Sequence, residues 1–305
     1  MLSFVTLVRD RNRLLQSFLE GVASQTVPAE VVVVRAGGTE DPGEVVAGFG
    51  SALRARIEEV EAPDERIPYS RARNAGAAAA TGRHVAFLDA DTIPSPTFAG
   101  AIGAALDEDD ALATGDVRYL PPGDTAGVPF EALCERARPH PIRDHVPDDG
   151  VVLGARHELV WGLCMAMRHP TFERAGGFDE GYGGYAGEDT DLGRTLADLG
   201  VPVALVGDAV VLHQHHDSFD PPVQQLRATV ANAQRYRDKW GTWPMEGWLR
   251  GFTELGLLDW HPEAATCTVR RDPTPDEVES CRRRVARPFQ DDRRREVAHG
   301  AAARA

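Results

Sequence analysis

Cysteine is scarce in this chain of 305 residues: there are four, Cys134, Cys164, Cys267 and Cys281, set far apart and with no C-x-x-C pair. That spacing offers no zinc site and no disulfide framework, so a reducing compartment, the cytoplasm, is the expected location. Positive charge is also in short supply. Lys and Arg number 33 against 47 Asp and Glu, a formal net charge of −14, which argues against the broad cationic surface that nucleic acid requires. A small anion can still be held by a few local arginines or by a metal. Long apolar runs are missing as well. The opening MLSFVTLVRDRNRLLQ meets charge at Arg9, too early to cross a bilayer and without the basic, apolar and small-residue order of a signal peptide. No integral membrane segment is expected, and no internal repeat is visible.

What is present is enough apolar material, 42% of residues, for a sizeable core. Short β-branched runs alternate with helix-like segments. SFVTLV (Ser3 to Val8) reads as a buried strand, and the next segment places Leu14, Leu15, Phe18, Leu19 and Val22 on one helical face. EVVVVRAGG gives a second strand, Ile57 to Val60 a third, Ser70 to Ala80 an alanine-rich helix, and RHVAFLDA a fourth strand. Such alternation predicts an α/β fold with right-handed crossovers, a mostly parallel sheet flanked by helices, and ligands gathered at the carboxyl ends of the strands. Leu120 to Gly150, rich in Pro, Asp and His, reads as a surface excursion beside the site. Beyond Asp220 the pattern turns helical, at Val223 to Tyr236 and Met245 to Leu257. The expected domains are residues 1–220, a helical C-terminal extension over 221–285, and a disordered tail over 286–305, which lacks apolar periodicity.

Three clusters carry chemistry. In VAFLDADTIPSP, Asp89 and Asp91 follow a buried strand, and two short carboxylates in such a turn suit a hard divalent cation, Mg²⁺ or Mn²⁺. A plain turn reading competes with this, with Ser95 as N-cap and Pro96 at the first helical position of the next helix. In the stretch Trp161 to Gly200, Leu192, Leu196 and Leu199 form a helical stripe, which puts Glu188, Asp189 and Asp191 in the first turn, where the macrodipole favours carboxylates. The glycines at 181, 183, 184 and 187 before them make a flexible loop that bears Tyr182 and Tyr185 and feeds a candidate base. In VVLHQHHDSFD, three histidines, His213, His215 and His216, stand within four residues at a strand end, about 120 residues after the aspartates. Neutral imidazole can complete a metal site already built from carboxylate and phosphate oxygens. Trp240, Trp243, Trp248 and Phe252 either pack the helical tail against the sheet or stack on a sugar face.

Taken in order, a first strand, RARNAG, FLDAD, GGFDE, GEDTDL and LHQHH resemble a GT-A glycosyltransferase. They are similar to the family 2 enzymes and, in the W-G and G-E-D elements, to the β-1,4-galactosyltransferase-like branch. The resemblance spans about Ser3 to Asp217 and implies a GT-A, Rossmann-like domain. It implies a hexosyltransferase that moves a sugar from a nucleotide-diphosphate donor, UDP-linked, to the hydroxyl of a glycan or small-molecule acceptor, with inversion. It assigns Asp91 and His213 to the metal, with His215 or His216 as substitutes for the latter. Arg9, Arg11, Arg73 and Asp89 fall on the donor side, Trp161, Tyr185 and Glu188 on the acceptor side, and Asp189, beside Glu188, is the base. One departure stands out. The acidic residues that family 2 enzymes carry after the second strand are replaced here by Arg35, Ala36 and Gly37. A metal-dependent phosphoesterase or nucleotidyltransferase, or a catalytically silent sugar-nucleotide-binding protein, would use part of the same residue set.

Overall fold

The structure, a computed structural model, describes residues 1–62, 66–140 and 142–283, so the tail expected over 286–305 lies outside the described residues. The strands of the main sheet are β1 (Leu2–Val8), β2 (Ala29–Arg35), β3 (Ala55–Glu59), β4 (His84–Leu88), β5 (Thr92–Pro94), β6 (Leu112–Tyr119), β7 (Arg138–Pro139), β8 (Val151–Leu153), β9 (Cys164–Arg168) and β10 (Val203–His213). The helices are α1 (Asn12–Ala23), α2 (Pro42–Gly48), α3 (Tyr69–Ala79), α4 (Phe98–Glu108), α5 (Phe130–Arg136), α6 (His169–Arg174), α7 (Glu188–Asp198), α8 (Leu226–Trp240), α9 (Glu246–Glu254) and α10 (Pro275–Cys281).

The sheet runs β3-β2-β1-β4-β9-β6-β10-β5, with β7 beside β6 and β8 beside β10. The longest ladders, β1 with β2 and β6 with β10, are parallel, whereas β9 pairs antiparallel with both β4 and β6, and β5 with β10. The apolar runs are continuous because both faces are covered. Along β2, Val31 and Val33 point into one apolar cluster with Phe18 of α1 and Phe98 of α4. Val32 and Val34 point into the opposite cluster with Ala72 of α3 and Leu192 of α7. This alternation with period two is what fixes the register.

The chain order places β2 and β3 on one side of β1 and β4 on the other. In a doubly wound sheet such a reversal opens a crevice at the carboxyl ends of the two strands on either side of it. Here those ends lead into Arg9 to Arg11 and Asp89 to Asp91.

Several local expectations are corrected. Ser95 is not an N-cap, and Pro96 is not helical: the helix starts at Phe98 behind Thr97. Pro94 pairs with Val211, and the Ser95 amide donates to the Val210 carbonyl at 2.8 Å, so this segment stays bound to the sheet edge for longer than its turn chemistry suggests. Leu199 is 44% exposed rather than part of the buried stripe, because α7 ends at Asp198; Leu192 and Leu196 are buried. The excursion after Leu120 folds α5, whose Leu133 packs with Leu120, Ile93 and Leu212. Past Asp220, Val223, Leu226, Val230, Trp243, Phe252 and Trp260 form an apolar cluster of their own. Among the described residues, no helix is long and apolar enough to cross a membrane, and the four cysteines are free thiols.

Candidate active site

The turn after β4 is folded by Thr92, whose backbone amide and hydroxyl both donate to the Asp89 carbonyl, at 2.9 and 2.7 Å. The Gln214 amide donates to the Asp91 carbonyl at 2.7 Å, while β5 sets Thr92 opposite His213. These backbone constraints push the Asp91 carboxylate against the histidines that end β10. His216 Nε2 lies 3.2 Å from Asp91 Oδ2, and His213 Nε2 lies 3.6 Å from Oδ1. The ligand atoms of Asp91, His213 and His216 all fall within 4.8 Å of one another. Of the three histidines that the sequence leaves open, the structure thus brings two to Asp91 and leaves His215 out.

Asp91 is buried, and its Oδ1 has no hydrogen-bond partner. A buried, orphaned carboxylate oxygen is costly unless something fills the position. Burial works against ionisation, yet His213, His216 and Arg11 together hold the carboxyl well below the usual range. Burial also drives His213 down to about 4, against the pull of Asp91, so the imidazole is neutral at pH 7 and its nitrogen lone pair is available. The ring is stacked on Tyr119 at 4.7 Å between centroids. One carboxylate and two imidazoles with an unfilled oxygen fit a divalent cation that also accepts phosphate oxygens. Arg11 reaches into the same place, with Nη1 2.7 Å from Asp91 Oδ2.

The second half of the site is organised around Arg73 of α3. Its guanidinium is buried and donates to Glu188 Oε1 at 2.6 Å and to Asp89 Oδ1 at 3.2 Å, joining the start of α7 to the turn after β4. Tyr69 and Phe178 flank it, each ring centroid 5.4 Å from the guanidinium carbon. Gly162 closes the remaining side: a Cβ there would lie 2.5 Å from Nη2, so only glycine leaves room. The Gly162 amide donates to Asp189 Oδ2 at 2.9 Å, and Thr190 donates from its own amide to Oδ1 at 2.7 Å. Burial raises the Glu188 carboxyl to about 7, helped by Asp189 and opposed by Arg73, and its Oε2 has no partner. Asp89 is also pushed up, chiefly by burial, against the Arg73 charge.

The remaining expected residues surround this pair of centres. Arg9 is half-buried at the end of β1. Trp161 stands beneath the Arg143 guanidinium, with His140 edge-on at 5.3 Å. Tyr185 stacks on Trp248 at 6.0 Å, and its hydroxyl is pushed up by burial and by the nearby Tyr69, Asp189 and Glu188.

The loop before Glu188 is clamped rather than free. Tyr182 is buried and donates to Asp191, and Asn232 of α8 hydrogen-bonds to Gly183, Tyr185 and Ala186. Asp191 is fully engaged elsewhere in packing, accepting from Tyr182, from Lys239 at 2.8 Å and from Trp240 at 2.7 Å. Lys239 is the single lysine of the chain, which is the sequence signal for this junction. Asn232 and Tyr119 carried none, because each acts through a partner far away in sequence, and Gly162 was marked only as the glycine of the W-G element, with no sign of its contact with Arg73. Trp243 and Phe252 pack the helical segment, while Trp240 bonds Asp191.

Residues 2–232 match the protein family described as Glycosyltransferase like family 2. Validoxylamine A glucosyltransferase of Streptomyces hygroscopicus subsp. limoneus is 27% identical over 242 residues, an overlap that covers 71% of this chain and 52% of that one. The chain thus spans about half the length of that curated relative. Among solved structures, S. aureus TarS 1–349 in complex with UDP-GlcNAc superimposes with a TM-score of 0.56 at 15% identity, over 78% of this chain and 66% of that one. GalNAc-T7 with UDP, GalNAc and Mn²⁺ gives a TM-score of 0.53 at 15% identity, over 78% and 50%. At such identities the likeness is one of fold, and the shared fold is GT-A.

Proposed function

The chain belongs to the family 2-like glycosyltransferases, and from that premise we propose that it transfers a hexosyl group from a UDP-linked sugar to an acceptor hydroxyl, with inversion. The observation that carries this reading is the orphaned Asp91 Oδ1 between two histidines at the sheet's switch point, joined through Asp89 and Arg73 to the acidic start of α7. The curated relative is named a glucosyltransferase and TarS was solved with UDP-GlcNAc, which supports the donor class.

Asp91, His213 and His216 would hold Mn²⁺ or Mg²⁺, which when bound supplies Lewis-acid neutralisation of the departing diphosphate. Asp189 takes the proton of the acceptor hydroxyl as that oxygen attacks the anomeric carbon, a contribution of roughly 10²- to 10⁴-fold. Its carboxylate is oriented by the Gly162 and Thr190 amides. Glu188, with one oxygen on Arg73 and the other unpartnered, binds the acceptor. Trp161 and Tyr185 flank the acceptor, and Arg9 and Arg11 hold the nucleotide side. Arg73 keeps Asp89 and Glu188 at a fixed separation, so the donor and acceptor halves are prepositioned. In this proposal residues 1–220 form the transferase domain, 221–285 a helical extension, and the setting is cytoplasmic.

The test is calorimetric titration with nucleotide diphosphates and nucleotide sugars, with Mn²⁺, Mg²⁺ or chelator, on the wild type and Asp91→Ala. Expected is binding of one uridine diphosphate species that chelator or Asp91→Ala abolishes, followed by inversion at the anomeric centre seen by NMR once an acceptor is found. Binding that ignores both metal and Asp91 would overturn the reading. Acceptor-free cleavage of the diphosphate linkage itself, releasing nucleoside monophosphate rather than diphosphate, or nucleotide exchange would favour a phosphoesterase or nucleotidyltransferase, and donor binding indifferent to Asp189→Asn with no turnover would indicate a silent binder.

A further inference from the structure

The segment immediately before the acidic pair has an unusual backbone. Gly184, Ala186 and Gly187 have φ of +74°, +71° and +99°, so three of four consecutive residues lie in the left-handed region, one of them an alanine. Isolated left-handed residues are ordinary, but a non-glycine one costs free energy that its surroundings must offset. The N-terminus of α7 that follows has no capping side chain, since Gly187 occupies the N-cap position. Within the segment itself, the Tyr182 hydroxyl on Asp191 is the side-chain bond that ties the loop to α7, and it leaves the backbone groups of residues 183–186 to be held from elsewhere.

The fixing group comes from another element. Asn232, in the middle of α8 and only 3% exposed, turns its amide into the loop. Its Oδ1 accepts from the Gly183 amide at 3.1 Å, and its Nδ2 donates among the carbonyls of Gly183, Tyr185 and Ala186 at 3.3, 3.1 and 2.8 Å. A carboxamide satisfies both an N–H and C=O groups at once, which neither Asp nor an apolar residue can do. A buried amide kept only for packing would be expected to find partners within its own helix or core, whereas every bond of Asn232 goes to the loop.

We propose that Asn232 is a positioning residue for sugar transfer: by clamping the loop over residues 183–186 it sets the start of α7 and with it the placement of Asp189 and Glu188. The proposal rests on the reading of Asp189 as base given above. It makes α8 part of the catalytic apparatus without any contact with substrate. Loss of the clamp should act on the chemical step rather than on donor affinity, because Asp91, His213 and His216 lie on other elements.

The test compares Asn232→Ala with Val230→Ala, a control that removes buried apolar volume from the same helix without touching the loop. Hydrogen exchange over residues 183–190 is read together with the Kd for UDP in the presence of Mn²⁺. Turnover of UDP-glucose, UDP-galactose and UDP-N-acetylglucosamine is followed as UDP release, with water as acceptor. For Asn232→Ala the expected result is exchange over 183–190 at least tenfold faster than in the control at equal thermal stability, turnover down tenfold or more, and a UDP Kd within twofold of wild type. If Asn232→Ala matches Val230→Ala in exchange or in turnover, the positioning role is overturned while the transferase reading stands. A folded wild type that turns over none of the donors overturns the transferase reading, and the positioning role falls with it.

Discussion

Replacing Gly162 with alanine puts a methyl group 2.5 Å from Nη2 and 2.8 Å from the guanidinium carbon of Arg73. The backbone at 162 tolerates a side chain, so the whole effect comes from that collision. A guanidinium is the far end of a flexible side chain and would ordinarily move aside. Here it is held by Glu188 at 2.6 Å and Asp89 at 3.2 Å and walled by Tyr69 and Phe178, with 6% of its side chain exposed. Moving it means loosening a buried ion pair, and breaking such a pair outright costs about 3–5 kcal/mol. Partial displacement should sit at the low end, about 3 kcal/mol. With an unfolding entropy of about 2.1 cal/mol/K per residue, this longer chain should lose roughly 5 °C in Tm. Calorimetry on Gly162→Ala, on Arg73→Met and on the double variant makes the test specific, because with methionine at 73 the new methyl has no charged pair to disturb. The alanine should then cost less than about 1 kcal/mol, a coupling between contacting residues of about 2 kcal/mol. If Gly162→Ala costs under about 1 kcal/mol by itself, or costs the same in both backgrounds, the view of Gly162 as the notch for Arg73 is wrong.

Three further outcomes follow from the same geometry. Arg11, half-exposed and paired with Asp91 at 2.7 Å, should compete with a cation; Arg11→Ala is expected to tighten Mn²⁺ binding without nucleotide by up to about fivefold, the worth of an exposed ion pair, and calorimetry showing equal or weaker binding would refute this. Asp191→Asn, which weakens the acceptor shared by Tyr182, Lys239 and Trp240, should lower stability by about 1–3 kcal/mol in urea, and a loss under about 0.5 kcal/mol would show that this junction does not hold α7 to α8. Burial raises Glu188 from 4.5 to about 7, so the native state takes up a proton across that window and this group's contribution falls by about 3 kcal/mol as pH rises through it. Glu188→Gln should remove that slope from urea titrations between pH 4.5 and 8, and identical slopes in both proteins would contradict the raised carboxyl.

The parts of the site legible in the sequence are those written in contiguous residues. The strand before Asp89, the acidic opening of α7 and the histidines ending β10 each carry their own periodicity or turn chemistry, and their convergence follows from a sheet that gathers carboxyl ends. The W-G element marked Gly162 without its physical reason, which is the tip of a side chain 89 positions earlier in the numbering. Asn232 lies in TVANAQRYRDKW, where a polar residue on a helix reads as solvent-facing until the loop it meets is known. The expected cap at Ser95 failed for a related reason: a proline that signals a turn was pinned to β10 by backbone pairing beyond the reach of local propensity. The glycine loop differs from expectation in the other direction, because Gly184 and Gly187 supply left-handed backbone for a clamped conformation rather than freedom of movement.

The charges of the site also explain why its two halves need each other on the proposed reading. Asp89, Asp91, Glu188 and Asp189 bring four carboxyl groups into one cleft, while Arg73 pairs with Asp89 and Glu188, Arg11 and His216 lie against Asp91, and His213 is neutral. Such a cleft repels a diphosphate. Arg73 is spent on Asp89 and Glu188, so it holds the carboxyl groups together without leaving positive charge for the donor. Arg11 neutralises Asp91 through one oxygen and leaves the other unsatisfied. A divalent cation held at that oxygen would change the local charge by two and would free Arg11 for the phosphates, so metal and donor should bind with positive coupling, each raising the affinity for the other by the same factor. Asp189 takes no part in this exchange: its carboxylate is held by the Gly162 amide and by the amide and hydroxyl of Thr190, so its orientation does not depend on which group Arg11 pairs with.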